Sequence, residues 1–263
     1  MSSITPKALL DAVNASPKAV ASHDKTAWLQ LFDASFHLED PVGSRPIHDT
    51  LRLEQFYQSF IAPNTIHFQP QCDYTGQDGP GRHSVWRDLA LEIELASDVK
   101  VTVPMHLHYQ LREQGSELRV CRLAAHWALW PMIKQLAPYG IKAVTTGWKL
   151  TLNIWRNLGW FGLSGFGLAL LTPASAHEKL LEKVLGGQQA IALHNHNGQA
   201  IAHTELQDYR AIKIISAGRF ITATLNNGEQ QGLLVLARAY RLGEITSAQF
   251  FRNSDCASLE TCA

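Results

Sequence analysis

The sequence carries no excess of charge of either sign, and it is poor in cysteine for its length. Lysine plus arginine and aspartate plus glutamate number 23 each among 263 residues. No basic surface for nucleic acid is therefore expected. The cysteines follow neither a metal-binding nor a CxxC spacing, which predicts free thiols and a reducing, cytoplasmic compartment. They are Cys72, Cys121, Cys256 and Cys262.

Several signals of location and of cofactor chemistry are also missing. The first seven residues, Met-Ser-Ser-Ile-Thr-Pro-Lys, have neither the basic region nor the apolar region of a secretory signal. No glycine-rich phosphate loop, nucleophile elbow or His-Glu-x-x-His pattern occurs. Two histidine pairs have a spacing at which a strand could share a metal, but neither has an identifiable third ligand. We therefore expect no cofactor and no metal, and solvated histidines at His106, His108, His194 and His196.

Helix signals dominate the first sixty residues. Thr5-Pro6 and Ser16-Pro17 each place a capping residue before a proline, which predicts two short helices. A further helix is expected over 27–32. The stretch 51–61 is a stronger candidate, because Phe56, Tyr57 and Phe60 form its inward stripe.

Four segments with strict alternation of apolar and polar residues follow, at about 66–74, 89–95, 101–111 and 118–127. In the third segment Leu107 and Tyr109 share the apolar face, opposite His106 and His108. Long strands with one apolar face, after a set of helices, predict an α+β domain in which a curved antiparallel sheet wraps round helices.

The register of the fourth segment is open. Cys121, Leu123, Ala125 and Trp127 occupy one face, and Arg122 and His126 the other. A slip of one residue exchanges the two faces. Burial favours the apolar set inside, because an unpaired interior arginine is costly, and the slipped register would place His126 inside.

One acidic motif stands at the end of a short predicted strand over 34–38. It reads Glu39-Asp40-Pro41-Val42-Gly43-Ser44. Pro41 favours an extended Asp40, and Gly43 permits a sharp turn. The common fate of an Asp-Pro pair is a solvated turn, whereas an Asp40 that faces an apolar cavity would have a pKa raised by desolvation.

Together with its flanks the motif resembles the ketosteroid isomerase-like members of the nuclear transport factor 2-like (SnoaL-like) superfamily. The match runs without gaps from Ser22 to about Ile61 and covers about 16–127 in looser form. The resemblance implies a cone-shaped, cystatin-like fold, a homodimer, and Asp40 as the general base of a proton transfer. It also implies a cavity lined by Phe56, Tyr57, Phe60, Leu107, His126 and Trp127.

The donors that hold the substrate oxygen in that family are not matched here. Its tyrosine on the first helix aligns with Ser16, and its protonated aspartate on the third long strand aligns with Leu107. Tyr57 matches a supporting tyrosine. Loss of one such donor typically costs about 10²–10³ in rate, so efficient steroid isomerisation is not expected.

The second half changes in composition. We place a first domain at 1–135, an apolar helical connector or lid at 136–172, and a smaller α+β domain, possibly a partial second cone, at 173–263. The uncharged run 157–171 is shorter than the ~18–20 residues of a membrane span. Contact of 148–171 with a membrane is therefore not favoured over packing against protein. A helix over 177–194, strands at 209–216, 219–225 and 233–240, and a hairpin at Asn226-Asn227-Gly228 are predicted.

Three functions remain open from the sequence. The leading one is a protein that binds a small apolar or lipid-like molecule, with Asp40 as a possible base. The second is a proton-transfer isomerase or hydratase with unidentified donors. The third is a non-catalytic, dimerising interaction module, which a filled cavity would favour.

Overall fold

The structure is a computed structural model that describes residues 4–79, 81–95, 99–139, 174–188, 191–239, 245–252 and 256–257. The predicted connector therefore lies largely outside the described residues, as do its possible lid and membrane contacts. Among the helices that are described, none is long and apolar enough to cross a membrane.

The chain begins with a single helix, α1 (Pro6–Ala21), where two short helices were predicted. Thr5 caps it as expected, because its hydroxyl accepts the N–H of Ala8 at 3.3 Å. The prediction of a break at Ser16-Pro17 is wrong. Pro17 sits inside the helix, and the buried Val13 and Val20 on either side of it supply the packing that offsets a lost hydrogen bond.

Two further helices and the first strand lead to the sheet. They are α2 (Lys25–Gln30), β1 (Phe32–Glu39) and α3 (Thr50–Phe56), and α3 continues as a π-helical turn over Tyr57–Ile61. Asp24 and Asp49 cap α2 and α3 through backbone N–H groups three residues on, both at 2.9 Å. The predicted helices over 27–32 and 51–61 are thus present with shifted ends.

The four predicted strands form one curved sheet around these helices. They are β2 (Thr65–Gln77), β3 (Arg82–Leu95), β4 (Val99–Gln114) and β5 (Glu117–His126). The sheet order is β1-β5-β4-β3-β2-β12, where β12 is the short strand Cys256–Ala257, and β1 runs parallel to β5. A helix α4 (Leu129–Leu136) and a 3₁₀ turn over Ala137–Tyr139 follow. This confirms the predicted α+β class.

A bulge interrupts the alternation of β2. Its register shifts between Pro70 and Cys72, so the strand exchanges its two faces there. Ile66 packs in the core of the cone, whereas Cys72 and Tyr74 face outward into a separate apolar cluster. Alternation alone had placed all three on one face.

The second half contributes helix α5 (Ala174–Leu185) and a second six-stranded sheet, in the order β7-β6-β11-β10-β9-β8. The helix ends at Leu185, nine residues before its predicted end. The strands are β6 (Leu193–His194), β7 (Ala200–Ile201), β8 (Arg210–Ala217), β9 (Phe220–Asn226), β10 (Gln231–Arg238) and β11 (Ile245–Arg252). A 3₁₀ turn over His203–Leu206 precedes β8. The predicted Asn-Asn-Gly hairpin joins β9 to β10.

The two sheets follow the chain in the same way. In each sheet the first strand pairs in antiparallel fashion with a short segment that follows it in the chain. Leu38 of β1 pairs with Ile47 in the first sheet, and β6 pairs with β7 in the second. A short helical segment and four antiparallel strands come next. The last of these strands pairs in parallel with the first strand, β5 with β1 and β11 with β6.

The outer face of the first sheet is covered by the second sheet of the same chain. Tyr74 and Trp86 pack there against Leu233, Val235 and Phe251. On its other face the second sheet packs against α5 through Leu181 and Val184. The central strands β9 and β10 of the second sheet are therefore buried on both sides.

Two glycines with positive φ meet where the two halves are in contact. A Cβ atom built on Gly43 would lie 2.7 Å from the Cα of Gly218, and one built on Gly218 would lie 2.8 Å from the Cα of Gly43. Neither position has room for a side chain. The turn between β8 and β9 thus sits directly on the loop that follows β1.

The cysteines depart from their prediction. Cys121 is a free, buried thiol as expected, but Cys72 is disulfide-bonded. The expectation of free thiols is therefore wrong for Cys72, because sequence spacing carries no information about which cysteines meet in space.

Candidate functional site

Asp40 stands where β1 leaves the sheet, as its motif predicts. Leu38 exchanges two backbone hydrogen bonds of 2.9 Å with Ile47, and the N–H of Val42 donates to the carbonyl of Ala125 at 2.8 Å. The chain is thus held on both sides of Asp40. The peptide bond to Pro41 is cis.

The Asp40 side chain faces a cavity between the helices and the concave face of the sheet. The cavity has a volume of about 50 Å³, and most of its lining is apolar. Its lining comprises Ser16, Val20, Trp28, Leu38, Asp40, Phe56, Phe60, Ile61, Ile66, Phe68, Leu91, Met105, Leu107, Tyr109 and Leu123. A water molecule needs roughly 10–15 Å³ by this measure, so the cavity has room for a small group only.

The carboxyl group of Asp40 is set up as a weak acid. Burial among apolar side chains raises its pKa to about 6, and the hydrogen bond from the indole N–H of Trp127, at 2.7 Å, acts in the opposite direction. The predicted direction of the shift is confirmed. At neutral pH most of the group is ionised and can accept a proton. Its pKa lies close to neutral pH, which suits a general base.

Tyr109 supplies a donor that the sequence analysis overlooked. Its side chain lines the same cavity, and its buried hydroxyl interacts with the Ser16 hydroxyl outside normal hydrogen-bond geometry. Ser16 is nearby, but its hydroxyl accepts the indole N–H of Trp28 at 3.3 Å. Burial raises the pKa of Tyr109, while the charge of Arg87 and the interaction with Ser16 act in the opposite direction. The alternation that turns Leu107 inward had already placed Tyr109 two residues further on the same face.

The remaining predicted residues divide into three groups. Phe56, Phe60 and Leu107 line the cavity as expected. Trp127 does not line the cavity, but its indole N–H donates to Asp40, which does. Tyr57 lies beside it in the core, 5.6 Å from the ring of Trp28, and its buried hydroxyl has no hydrogen-bond partner among the described residues.

His126 does not belong to the cavity. Leu123 and Ala125 of β5, with Trp127 after it, face the core of the cone, so His126 lies on the outer face. There it is 5.4 Å from the ring of Phe220 and 5.1 Å from that of Trp86. Its inclusion among cavity residues is wrong, because the second sheet gives that outer face an apolar cover that a lone cone would lack.

The histidines of β4 are buried rather than solvated, for the same reason. The ring nitrogens of His106 lie 2.8 Å from the Thr222 hydroxyl and 2.9 Å from the Thr224 hydroxyl. His106 is fully buried and His108 is 7% exposed. Within the described ranges no group of three or more His, Cys, Asp and Glu side chains could hold a metal ion.

His108 connects the outer face to the strand that carries Asp40. Arg122 donates to Nδ1 of His108 at 3.1 Å and to the Glu39 carboxylate at 3.1 Å, and Nε2 of His108 lies 2.8 Å from the Ser84 hydroxyl. Glu39 and Asp40 are adjacent but serve opposite faces, since successive strand residues point to opposite sides. Only Asp40 is available to a ligand in the cavity.

No protein-family model and no curated protein matches the sequence. Among solved structures, a Δ5-3-ketosteroid isomerase from Mycobacterium sp. matches with 22% identity and a TM-score of 0.40, over 47% of this chain and 95% of that one. A Mycobacterium tuberculosis protein in complex with estradiol-17β-hemisuccinate matches with 20% identity and a TM-score of 0.38, over 46% and 93%.

A third solved structure is a ketosteroid isomerase-like protein from Erwinia carotovora atroseptica, with 14% identity and a TM-score of 0.42, over 46% of this chain and 94% of that one. At these values the likeness carries no inference about ligand or reaction. In structure, the first half of the chain is similar to ketosteroid isomerase and ketosteroid isomerase-like proteins, the group that its sequence from Ser22 to Ile61 resembles.

Proposed function

We propose that the cavity binds a small apolar or lipid-like molecule that carries a hydrogen-bond acceptor, with Asp40 as a general base beside it. One observation carries the proposal. A carboxylate with a pKa of about 6 and a poorly hydrogen-bonded tyrosine hydroxyl face the same, mostly apolar cavity.

The Tyr109 hydroxyl is the less satisfied of the two groups, because Ser16 meets it only outside normal hydrogen-bond geometry. A buried polar group without a partner typically costs about 1–3 kcal/mol, so such groups are rare unless a ligand or water meets them. Tyr109 can donate to a carbonyl oxygen, and Asp40 can take a proton from the carbon next to it. This pairing of base and donor is the minimum that enolisation needs.

The volume of the cavity limits what it can accept. Sites for drug-sized molecules are typically ~300–1,000 Å³, far above the 50 Å³ present here. A ligand larger than a few atoms therefore requires the phenyl rings of Phe56, Phe60 and Phe68 to rotate away. A β,γ-unsaturated steroid ketone is expected to be a poor substrate, on grounds of size and because Ser16 and Leu107 stand in the positions of the family donors.

Deuterium incorporation into a small ketone tests the proposal. Cyclohex-3-enone is incubated with the protein in D₂O, and exchange next to the carbonyl is followed by ¹H NMR. Asp40→Asn should abolish the protein-catalysed exchange, and Tyr109→Phe should lower it by about 10². Glu39→Gln is the matched control, because it removes the neighbouring carboxylate from the opposite face and should leave the exchange unchanged.

The outcomes separate the candidate functions. Binding without exchange, seen as a shift of the ketone carbonyl ¹³C resonance that Asp40→Asn or Tyr109→Phe alters, would leave a ligand-binding protein without catalysis. Neither binding nor exchange for this ketone or a longer fatty ketone would overturn the proposal.

A second candidate is a non-catalytic interaction module, which the small cavity volume favours. The predicted homodimer belongs to this candidate. Because the outer face of the first sheet is already covered by the second sheet, a homodimer would use another surface. Light scattering over a range of protein concentrations measures whether a dimer forms.

The organisation of the chain supports two further proposals. Residues 173–263 are proposed to be a partial second cone, supported by the shared strand order of the two sheets. The proposed cytoplasmic location is based on the lack of a recognisable secretory signal and on free thiols, and the disulfide bond at Cys72 weighs against the second of these grounds.

A further inference from the structure

A cleft separate from the cavity opens on the outer side of β1, where the two halves of the chain meet. It is lined by His37 and Glu39 of β1, Arg122 of β5, Val42 and Gly43 of the loop after β1, Arg219 of the turn before β9, and Phe220 of β9. Its volume is about 340 Å³, which lies within the range of small-molecule sites. Five of its seven lining residues come from the first half of the chain, and two, Arg219 and Phe220, come from the second.

The two arginines differ in how they are held. Arg122 is anchored by Glu39 and His108 at 3.1 Å each, yet its side chain is still 22% exposed to the cleft. Arg219 lies 5.2 Å from the ring centre of Phe220 and forms no ion pair with any described residue. One guanidinium is thus fixed in place, and the other is free to close on a ligand.

The charge of the cleft favours an anion with a single negative charge. Burial opposes ionisation of Glu39, but His37 and Arg122 lower the pKa of this carboxyl below its usual value, so it is charged at neutral pH. Two guanidinium groups against one carboxylate leave a surplus of one positive charge. A second negative charge on the ligand would be repelled by Glu39.

We propose that this cleft binds a small organic carboxylate with a flat apolar body. Arginine matches a carboxylate through two parallel N–H donors, and the partly buried Phe220 offers apolar surface to the rest of the molecule. The site is independent of the cavity, because Leu38 and Asp40 point inward from β1 whereas His37 and Glu39 point into the cleft.

Benzoate is the probe. Its binding to the full chain is followed at pH 7.5 by isothermal titration up to about 10 mM, and by ¹⁵N amide shifts. Wild type should bind benzoate, with the largest shifts at Gly43 and Gly218, and should bind neutral benzamide and inorganic phosphate more weakly. Arg219→Gln should weaken benzoate binding at least tenfold. Arg210→Gln, an exposed arginine of β8 outside the cleft, should have no effect.

Two results would overturn the proposal. One is equal affinity for benzoate in wild type and in Arg219→Gln, whose fold is verified by circular dichroism. The other is binding that Asp40→Asn abolishes while Arg219→Gln leaves it intact, which would place benzoate in the cavity. If the wild-type protein neither binds nor exchanges the ketones but still binds benzoate, the proposed function is refuted and this site stands.

Discussion

Replacement of Asp40 by asparagine is expected to stabilise the protein at neutral pH while removing the proposed base. Asparagine keeps an oxygen that can accept the indole N–H of Trp127. The substitution therefore removes the charge with little change of shape or hydrogen bonding. The difference between the two proteins reports the cost of holding a carboxylate in this cavity.

The magnitude follows from the pKa. Burial raises the pKa of Asp40 from 3.8 to about 6, so the folded state holds the proton more tightly than the unfolded chain does. The stability linked to this proton is fully present below about pH 4 and is lost as pH rises through about 6. At about 1.4 kcal/mol per pKa unit the loss is at most about 3 kcal/mol, and since Asp40 keeps some exposure, about 1–3 kcal/mol is expected.

Urea unfolding at pH 4, 5, 6 and 7.5, at constant ionic strength, measures the effect. The two proteins should be equally stable near pH 4, and Asp40→Asn should become the more stable one above pH 6. Glu39→Gln is the control with the opposite sign. The pKa of Glu39 is lowered in the folded state, so this variant should be destabilised at pH 7.5, and the difference should shrink at acid pH.

A single outcome would refute the reasoning about Asp40. If Asp40→Asn is less stable than wild type at pH 7.5, the folded protein stabilises the carboxylate. The group would then have a lowered pKa and could not serve as the base proposed here. The loss of ketone exchange in the same variant would have to be explained by misfolding.

Three other predictions concern the framework around the site. Gly218→Ala should destabilise the protein by about 2 kcal/mol or more in urea unfolding, because Gly218 has a φ of +54° and an added Cβ would lie 2.8 Å from a backbone atom. Gly228→Ala is the control, since Gly228 has a φ of +94° but lies in open space, and it should cost only about 1 kcal/mol. Equal losses of stability in the two variants would contradict the close contact at Gly218. Arg87→Met should cost about 3–5 kcal/mol, since it leaves buried Asp73 without the partner that it meets at 2.7 Å; a loss below 1 kcal/mol in the same assay would speak against that pair. Alkylation of the denatured, unreduced protein should modify no more than two of the four cysteines, as the disulfide bond of Cys72 requires, and four modified thiols by intact mass would disprove it.

The local features of the first half could be predicted because they depend on near neighbours. Period-two alternation identified the four long strands, and the proline and glycine around Asp40 placed it at a strand exit. The continuous helix through Pro17 was not predicted, because a pair such as Ser16-Pro17 is found at helix starts and also inside well-packed helices. The bulge at Pro70 also left no signal in the pattern.

The outer face of the sheet could not be predicted from its own strands. His106 and His126 are typical of a solvated or amphipathic face when β4 and β5 are considered alone. Their burial depends on Thr222, Thr224 and Phe220, about a hundred residues away. Tyr109 is a different case, because the alternation identified its face and the family comparison drew attention to Leu107 instead.

Because the second sheet belongs to the same chain as the first, the contact between the two sheets is not constrained by two-fold symmetry. In a two-fold homodimer the same residue lies on both sides of the interface, so an acid near the axis meets its own copy. Here Asp88 of β3 meets the Lys213 ammonium and the Thr224 hydroxyl instead. Each side of this interface can change on its own, and the two sides remain together at any dilution because one chain carries both.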